Sequence, residues 1–299
     1  MGQRLSELHD RVATVRQLGG VVSALRGIAA SRAQQSRGLL EGVRAYADIV
    51  AQAIAQALTL LPVGAGDGPP APGRRPALLL FCAEQGFAGP FSDAVFDAAG
   101  GPPAEAELMV VGSRGVRLAQ ARGLRVAWQA PMVSQAASAG ALANRIAAML
   151  EDRMREGDIA RVDMVFARPA AGGEIAVERR SLLPLDLRHI APARMRQPPL
   201  VNLPPPLLLE RLAAEYLFAA LNEAVLYGFA AENTARMTAM AAARAHIDRR
   251  LEELAREERL ARQDEITEEV VELASGTEAQ RTIGGRRPPA MARHEGAGP

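Results

Sequence analysis

The chain contains no lysine; all 35 of its basic residues are arginine. That absence removes the lysine of a phosphate-binding loop, so the chain is not an ordinary P-loop nucleotidase. It also removes any lysine Schiff base and any anchor for pyridoxal phosphate. Cys82 is the single cysteine, which excludes an internal disulfide framework and a cysteine zinc cluster. It reads as a buried, inert thiol at the end of an apolar strand. The four histidines (His9, His189, His246, His294) are scattered and form neither HxxxH nor HExxH, so no metal site is expected. Aromatic residues make up 4%, too few for a core built on large rings. An excess of one charge sign is lacking as well. The net charge of +1 argues against dependence on non-specific nucleic-acid binding. No long apolar run exists. Ile49–Leu61 is interrupted by Gln52 and Gln56 and stopped by Pro62, too short and too polar to cross a bilayer. The start is charged and amphipathic, without a secretory apolar region. The chain reads as soluble or peripheral.

What is present is organised by proline. The 299 residues suffice for one large domain or two small ones. Of 20 prolines, 17 lie between Pro62 and Pro206, so Met1–Leu61 and Leu207–Arg287 contain none. Proline inside a helix costs about 3 kcal/mol, and two proline-free arms this long predict long helices. The N-terminal arm carries Leu5, Leu8, Val12, Val15, Val22, Leu25 and Ala29, with Gly19 at one step, and resumes at Leu39, Val43, Tyr46, Val50 and Ile54. This is the alternation of three and four that marks a coiled-coil seam. The C-terminal arm carries small residues: Ala220, Ala224, Gly228, Ala231, Ala235, Thr238, Ala242 and Ala245. Ile247, Leu251 and Leu254 follow, then Ile266, Val270 and Leu273. Residues 1–61 hold seven arginines against four acidic residues, and residues 248–272 hold five against ten. Those opposite balances favour pairing of the arms or an uneven surface toward partners; a solvated helix face is the plainer reading.

The middle third alternates strand and helix. Pro76–Ala83 (PALLLFCA) reads as a buried strand, Glu84–Asp93 (EQGFAGPFSD) as a glycine-containing turn, and Asp93–Ala99 as the start of a helix. Glu107–Gly115 reads as a second strand with its turn, Val116–Arg122 as a helix, and Leu124–Ala130 as a third strand. Ala137–Glu156 is a helix, Arg161–Pro169 a fourth strand, and Glu174–Leu185 a fifth with a proline-rich exit. The expected fold class is therefore α/β: a Rossmann-like, open, mainly parallel sheet joined to a long antiparallel coiled coil of the N- and C-terminal helices. The expected organisation is a coiled-coil helix over 1–61, a linker over 62–76, an α/β domain over 77–206, a second coiled-coil helix over 207–283 and a flexible tail over 284–299. Neither EQGFAGPF nor GSRG at Gly112–Gly115 fits the dinucleotide fingerprint, so both read as structural turns and no cofactor is expected. No acid–base pair stands out; Glu257, Glu258, Asp264 and Glu265 read as helix surface.

Three segments carry a resemblance. Leu18–Arg32 (LGGVVSALRGIAASR) looks like a helix that typically reads ITKAMxMVAASK, Ala231–Met240 (AENTARMTAM) is similar to SExxARMxAM, and Ala261–Gly276 (ARQDEITEEVVELASG) follows ARQxxITxExxExxSG. Over residues 3–280 the chain resembles the γ subunit of the F-type ATP synthase. It departs from that family in the middle turn, where Glu84–Pro90 stands for Asp-Arg-Gly-Leu-Cys-Gly-Gly, in its arginines for lysines, and in the continuation Thr277–Pro299. The resemblance implies a non-catalytic central-stalk rotor whose terminal helices form a coiled coil inside a hexamer of α and β subunits. It implies an α/β domain that contacts the ε subunit and the membrane c-ring, a peripheral place on the cytoplasmic face of the bacterial cell membrane, and no cofactor. By position, Arg236, Gln263 and Thr267 sit where the family hydrogen-bonds a loop of β, and Leu25 is a bearing residue near that contact. Each has a plainer reading: Leu25 as a coiled-coil core position, Arg236 as a surface arginine paired with Glu232, Gln263 and Thr267 as solvated helix face. A coiled-coil scaffold with an α/β adaptor domain shares the fold without the rotary role.

Overall fold

The computed structural model describes residues 2–61, 75–100, 106–185 and 199–284. Most of the expected linker and the expected tail from 285 onward lie outside the described residues, as does much of the proline-rich exit. Two helices frame the chain: α1, Gly2–Leu58, and α5, Pro205–Gly284. Between them come β1 (Arg75–Phe81), α2 (Phe91–Ala99), β2 (Glu107–Val111), α3 (Ser113–Ala121), β3 (Val126–Ala130), α4 (Ala139–Glu156), β4 (Ile159–Pro169) and β5 (Ile175–Leu183). The residues fall into two compact units, one of Met1–Val21 with Arg244–Pro299 and one of Val22–Ala243.

The first unit is a helix pair. Leu8, Val12 and Leu254 are buried together, with Val15, Leu251 and Ala261 packed against them. The direction is antiparallel: His9 meets Glu258 at 3.1 Å, and further along α1 Gly19 faces Ile247. A Cβ on Gly19 would stand 3.0 Å from the far end of the flexible Arg244 side chain and 3.4 Å from Ile247 Cγ2, a close contact between the two helices. Ion pairs also run along α5: Arg244 bonds Asp248, Arg250 bonds Glu253 and Arg262 bonds Glu258.

The second unit is a five-stranded sheet of order β3-β2-β1-β4-β5. β1 pairs in parallel with β2 and β4, β2 in parallel with β3, and β5 closes the edge antiparallel to β4. β1 is covered on both faces, which is why it reads as one apolar run. Leu79 and Phe81 face α4, α5 and Leu40 of α1. Leu78, Leu80 and Cys82 face α2 and α3. α3 begins at Ser113, three residues before the sequence reading placed it. Its first turn presses on the end of β1: a Cβ on Gly115 would lie 2.4 Å from Cys82 Cβ, and one on Gly112 2.3 Å from the Cys82 carbonyl oxygen. The glycines of GSRG thus serve helix–strand packing.

Two seam expectations change. In α1 the buried positions run Ala29, Ala33, Ser36, Leu40, Val50 and Ile54, while Leu39 and Tyr46 are exposed. Ser36 tolerates burial because its hydroxyl donates to the Arg32 carbonyl at 3.1 Å. In α5 the small residues do not form a single stripe. Residues 224–234 are buried all round, while Thr238, Ala242 and Ala245 are exposed. A helix enclosed on every side by sheet and neighbouring helices shows no amphipathic period.

Candidate functional site

The carboxyl ends of β1, β2 and β3 converge on the turn after β1, and two carboxylates fasten it. Glu84 accepts the Ser113 N–H at 3.0 Å, the Ser113 hydroxyl at 2.5 Å and the Met132 N–H at 2.8 Å. It therefore ties the ends of the three strands together. Glu232, on α5, accepts the N–H groups of Glu84 and Gln85, both at 3.2 Å. Arg236, one helical turn on, donates to Glu232 at 2.5 Å and to Asn233 Oδ1 at 3.1 Å. It also donates to the carbonyls of Gly86 at 3.1 Å and Gln85 at 3.3 Å. The Arg236 and Glu232 side chains are 8% and 3% exposed, so this is a buried, fully bonded ion pair. Beyond the grip, Phe87 stands 70% exposed with φ +63°, a conformation that costs a bulky residue energy. An open cavity of about 280 Å³ lies beside the turn, with Arg114 and Arg117 on its wall.

Arg236 is thus turned inward, where the sequence alone suggested a surface residue. The i,i+4 pairing with Glu232 is present; the turn 147–151 residues away that both side chains hold is not legible from spacing. Leu25 is half-buried on α1, and it shares the second unit with Arg236. Gln263 and Thr267 belong to the first unit and are exposed, one turn apart, with the Thr267 hydroxyl donating to the Gln263 carbonyl at 2.8 Å.

A second network joins α1, α5 and the sheet. Arg44 lies 5.1 Å over the Tyr227 ring, Tyr227 stacks on Phe166 at 5.9 Å, and Arg180 lies 5.1 Å over Phe166. Glu223 bridges the two arginines, at 3.3 Å to Arg44 and 2.9 Å to Arg180. Burial disfavours the Arg180 charge, yet bonds from Glu223 and Glu178 hold its pKa above the usual value. Cys82 is fully buried, and desolvation, with Glu232 and Asp93 nearby, pushes its thiol far above the usual range. Among the described residues no group of three or more His, Cys, Asp or Glu could hold a metal ion, and no helix is long and apolar enough to cross a membrane.

These features define a class: two long helices that flank, in chain order, a mainly parallel sheet covered on both faces, with the turn after its first strand held by side chains of the second helix. A family model described as ATP synthase matches residues 4–280. The chain belongs to that family, and the curated relatives it matches there are γ chains. It is 25% identical to the ATP synthase γ chain of Frankia casuarinae, covering 93% of this chain and 98% of the relative. It is 27% identical to that of Parafrankia sp., again covering 93% and 98%. In fold it is similar to a chain of the Euglena gracilis mitochondrial ATP synthase, solved as OSCP/F1/c-ring. That likeness has TM-score 0.62 and 12% identity, and covers 98% of this chain and all of that one. A chain of the central stalk and c-ring of the Tetrahymena thermophila mitochondrial enzyme gives TM-score 0.54 at 18% identity, covering 75% and 99%.

Proposed function

We propose that this γ-family chain, a central-stalk subunit of a rotary F-type ATP synthase, is a non-catalytic rotor. It couples ion flow across the membrane to ATP synthesis or hydrolysis at a hexamer of α and β subunits. The carrying observation is that the family match runs from residue 4 to residue 280 and so takes in both helical arms as well as the α/β insert. The end of α5 supports the reading: Ile266, Val270 and Leu273 are more than half exposed beside Gln263 and Thr267, a face suited to a surrounding sleeve of subunits. Leu25, Gln263 and Thr267 contact β directly, and Arg236 contributes from behind by holding the β1–α2 turn. The α/β domain meets the ε subunit and the c-ring, and the chain is peripheral on the cytoplasmic face of the bacterial membrane. It takes no cofactor.

Reconstitution tests this. The purified chain is mixed with cognate α and β subunits, complexes are isolated by size exclusion, and Mg-ATPase is assayed with and without the chain. One copy per three αβ pairs, with steady hydrolysis gained, is the expected result. Failure to assemble with any cognate α and β would overturn the rotor reading.

A further inference from the structure

In open sheets of this strand order the turn after the first strand is where an anionic ligand is held, outside the carboxyl end of that strand and against backbone N–H groups. Here that turn presents two such N–H groups, of Glu84 and Gln85, and both already bond one carboxylate. The carboxylate belongs to Glu232, and a buried guanidinium, Arg236, closes on it from the other side. Two convergent amides and an arginine are the donor set of a carboxylate receptor. We infer that the β1–α2 turn is a carboxylate-binding site filled from within, with Glu232 as its resident ligand and with Glu232 and Arg236 as positioning residues that set the shape of the turn.

Three observations carry this. The donors converge on a single acid group and no second acid competes for them: Glu84 points its own carboxylate at Ser113 and Met132 instead. The Glu232 side chain is only 3% exposed, so its hydrogen-bond partners are these donors and not water. The φ of +63° at Phe87 follows directly on the two carbonyls, of Gln85 and Gly86, that Arg236 holds. A non-glycine residue stays in that region only when its surroundings over-determine it. The same occupancy leaves neither the Glu84 nor the Gln85 N–H available to an outside anion, in a sheet of nucleotide-binding order that lacks a nucleotide fingerprint.

The test is chemical rescue in the full-length chain. Glu232→Ala removes the resident acid and leaves the receptor. The urea midpoint should fall, and sodium acetate should raise it again in a saturable way while equal sodium chloride does not. Hydrogen exchange should show protection lost at Glu84 and Gln85 and returned by acetate. Wild type, already filled, should respond to acetate no more than to chloride. If Glu232→Ala does not fold, Glu232→Gln keeps the side-chain shape and one acceptor while losing the charge opposite Arg236. It should then show faster exchange at the same two amides, with the rest of the sheet still protected. Acetate acting no better than chloride on Glu232→Ala, or unchanged exchange at residues 84 and 85 in either variant, would overturn the inference. None of these readouts requires α or β subunits, so their failure is separable from failure of the rotor reading.

Discussion

Arg236→Ala should unfold this protein more readily, because the guanidinium is bonded on all sides within the chain. The substitution leaves the Glu232 carboxylate buried without its counter-charge and Asn233 Oδ1, in a fully buried residue, without its donor. Breaking a buried ion pair by removing one partner costs about 3–5 kcal/mol. The two amides that still bond Glu232 argue for the lower half of that range, and the orphaned asparagine adds about 1–3 kcal/mol, not fully additive. A loss of about 4 kcal/mol is a large fraction of the roughly 5–15 kcal/mol that holds a domain together. With a urea slope of about 2 kcal/mol/M, the midpoint should fall by about 2 M. Trp128, the single tryptophan and half-buried on β3, gives a fluorescence reading of the sheet. Arg236→Lys keeps the charge but not the planar fork that reaches Gly86, Gln85 and Asn233 together, so it should fall between wild type and Arg236→Ala. In a double-mutant cycle, Glu232→Ala combined with Arg236→Ala should cost less than the sum by about 1.5 kcal/mol or more. A midpoint shift below about 0.5 M for Arg236→Ala, or strict additivity in the cycle, would refute the reasoning.

Gly115→Ala places a Cβ 2.4 Å from Cys82 Cβ and 2.6 Å from its Sγ, so it should destabilise the second unit by about 1–3 kcal/mol, read as a lower melting temperature. Burial would raise the Asp163 carboxyl, but hydrogen bonds from Arg179 and Arg161 and their charges outweigh it and hold the pKa below the usual value. Its stabilising contribution is therefore full above the unfolded carboxylate pKa and is lost as pH falls through the lowered folded value. Asp163→Asn should flatten the acid limb of a stability–pH curve and leave its slope near neutrality unchanged. The Cys82 thiol, fully buried, should react with a disulfide reagent at the rate of unfolding; a fast reaction under native conditions would contradict its placement. Gln263→Ala and Thr267→Ala, on an exposed face, should change stability by less than about 0.5 kcal/mol while lowering hydrolysis by the reconstituted complex.

Much of this architecture is written locally. Proline's exclusion from helix interiors located both arms, since a missing N–H and a ring clash act wherever the residue stands. Near-continuous apolar runs located β1 and β2, because a strand covered on both faces needs apolar residues at nearly every position. The edge strands β3 and β5 carry polar, exposed positions and were marked by their flanking turns and β-type residues. The boundary at α3 was misplaced for an equally local reason. Gly112–Gly115 has turn composition, yet a glycine in a first helical turn is chosen when something presses against it, and what presses is Cys82, about thirty residues earlier.

The candidate site was legible only in outline. The ARM motif singled out Arg236, and its spacing from Glu232 suggested the pair. Whether that pair meets water or a turn depends on where α5 passes the sheet, which no period in the sequence encodes. The same holds for the seam of α1: size favoured Leu39 and Tyr46, but the helix face that meets its neighbours carries Ser36 and Leu40. It holds again for the Arg44–Tyr227–Phe166–Arg180 stack, drawn from four separate elements and bridged by Glu223. By itself the sequence determined the elements, their order and the family, since propensities and motifs act between near neighbours. The tertiary structure alone decided which polar groups are buried together, because desolvation and hydrogen bonding depend on position in space, and positions distant along the chain become neighbours only when it folds.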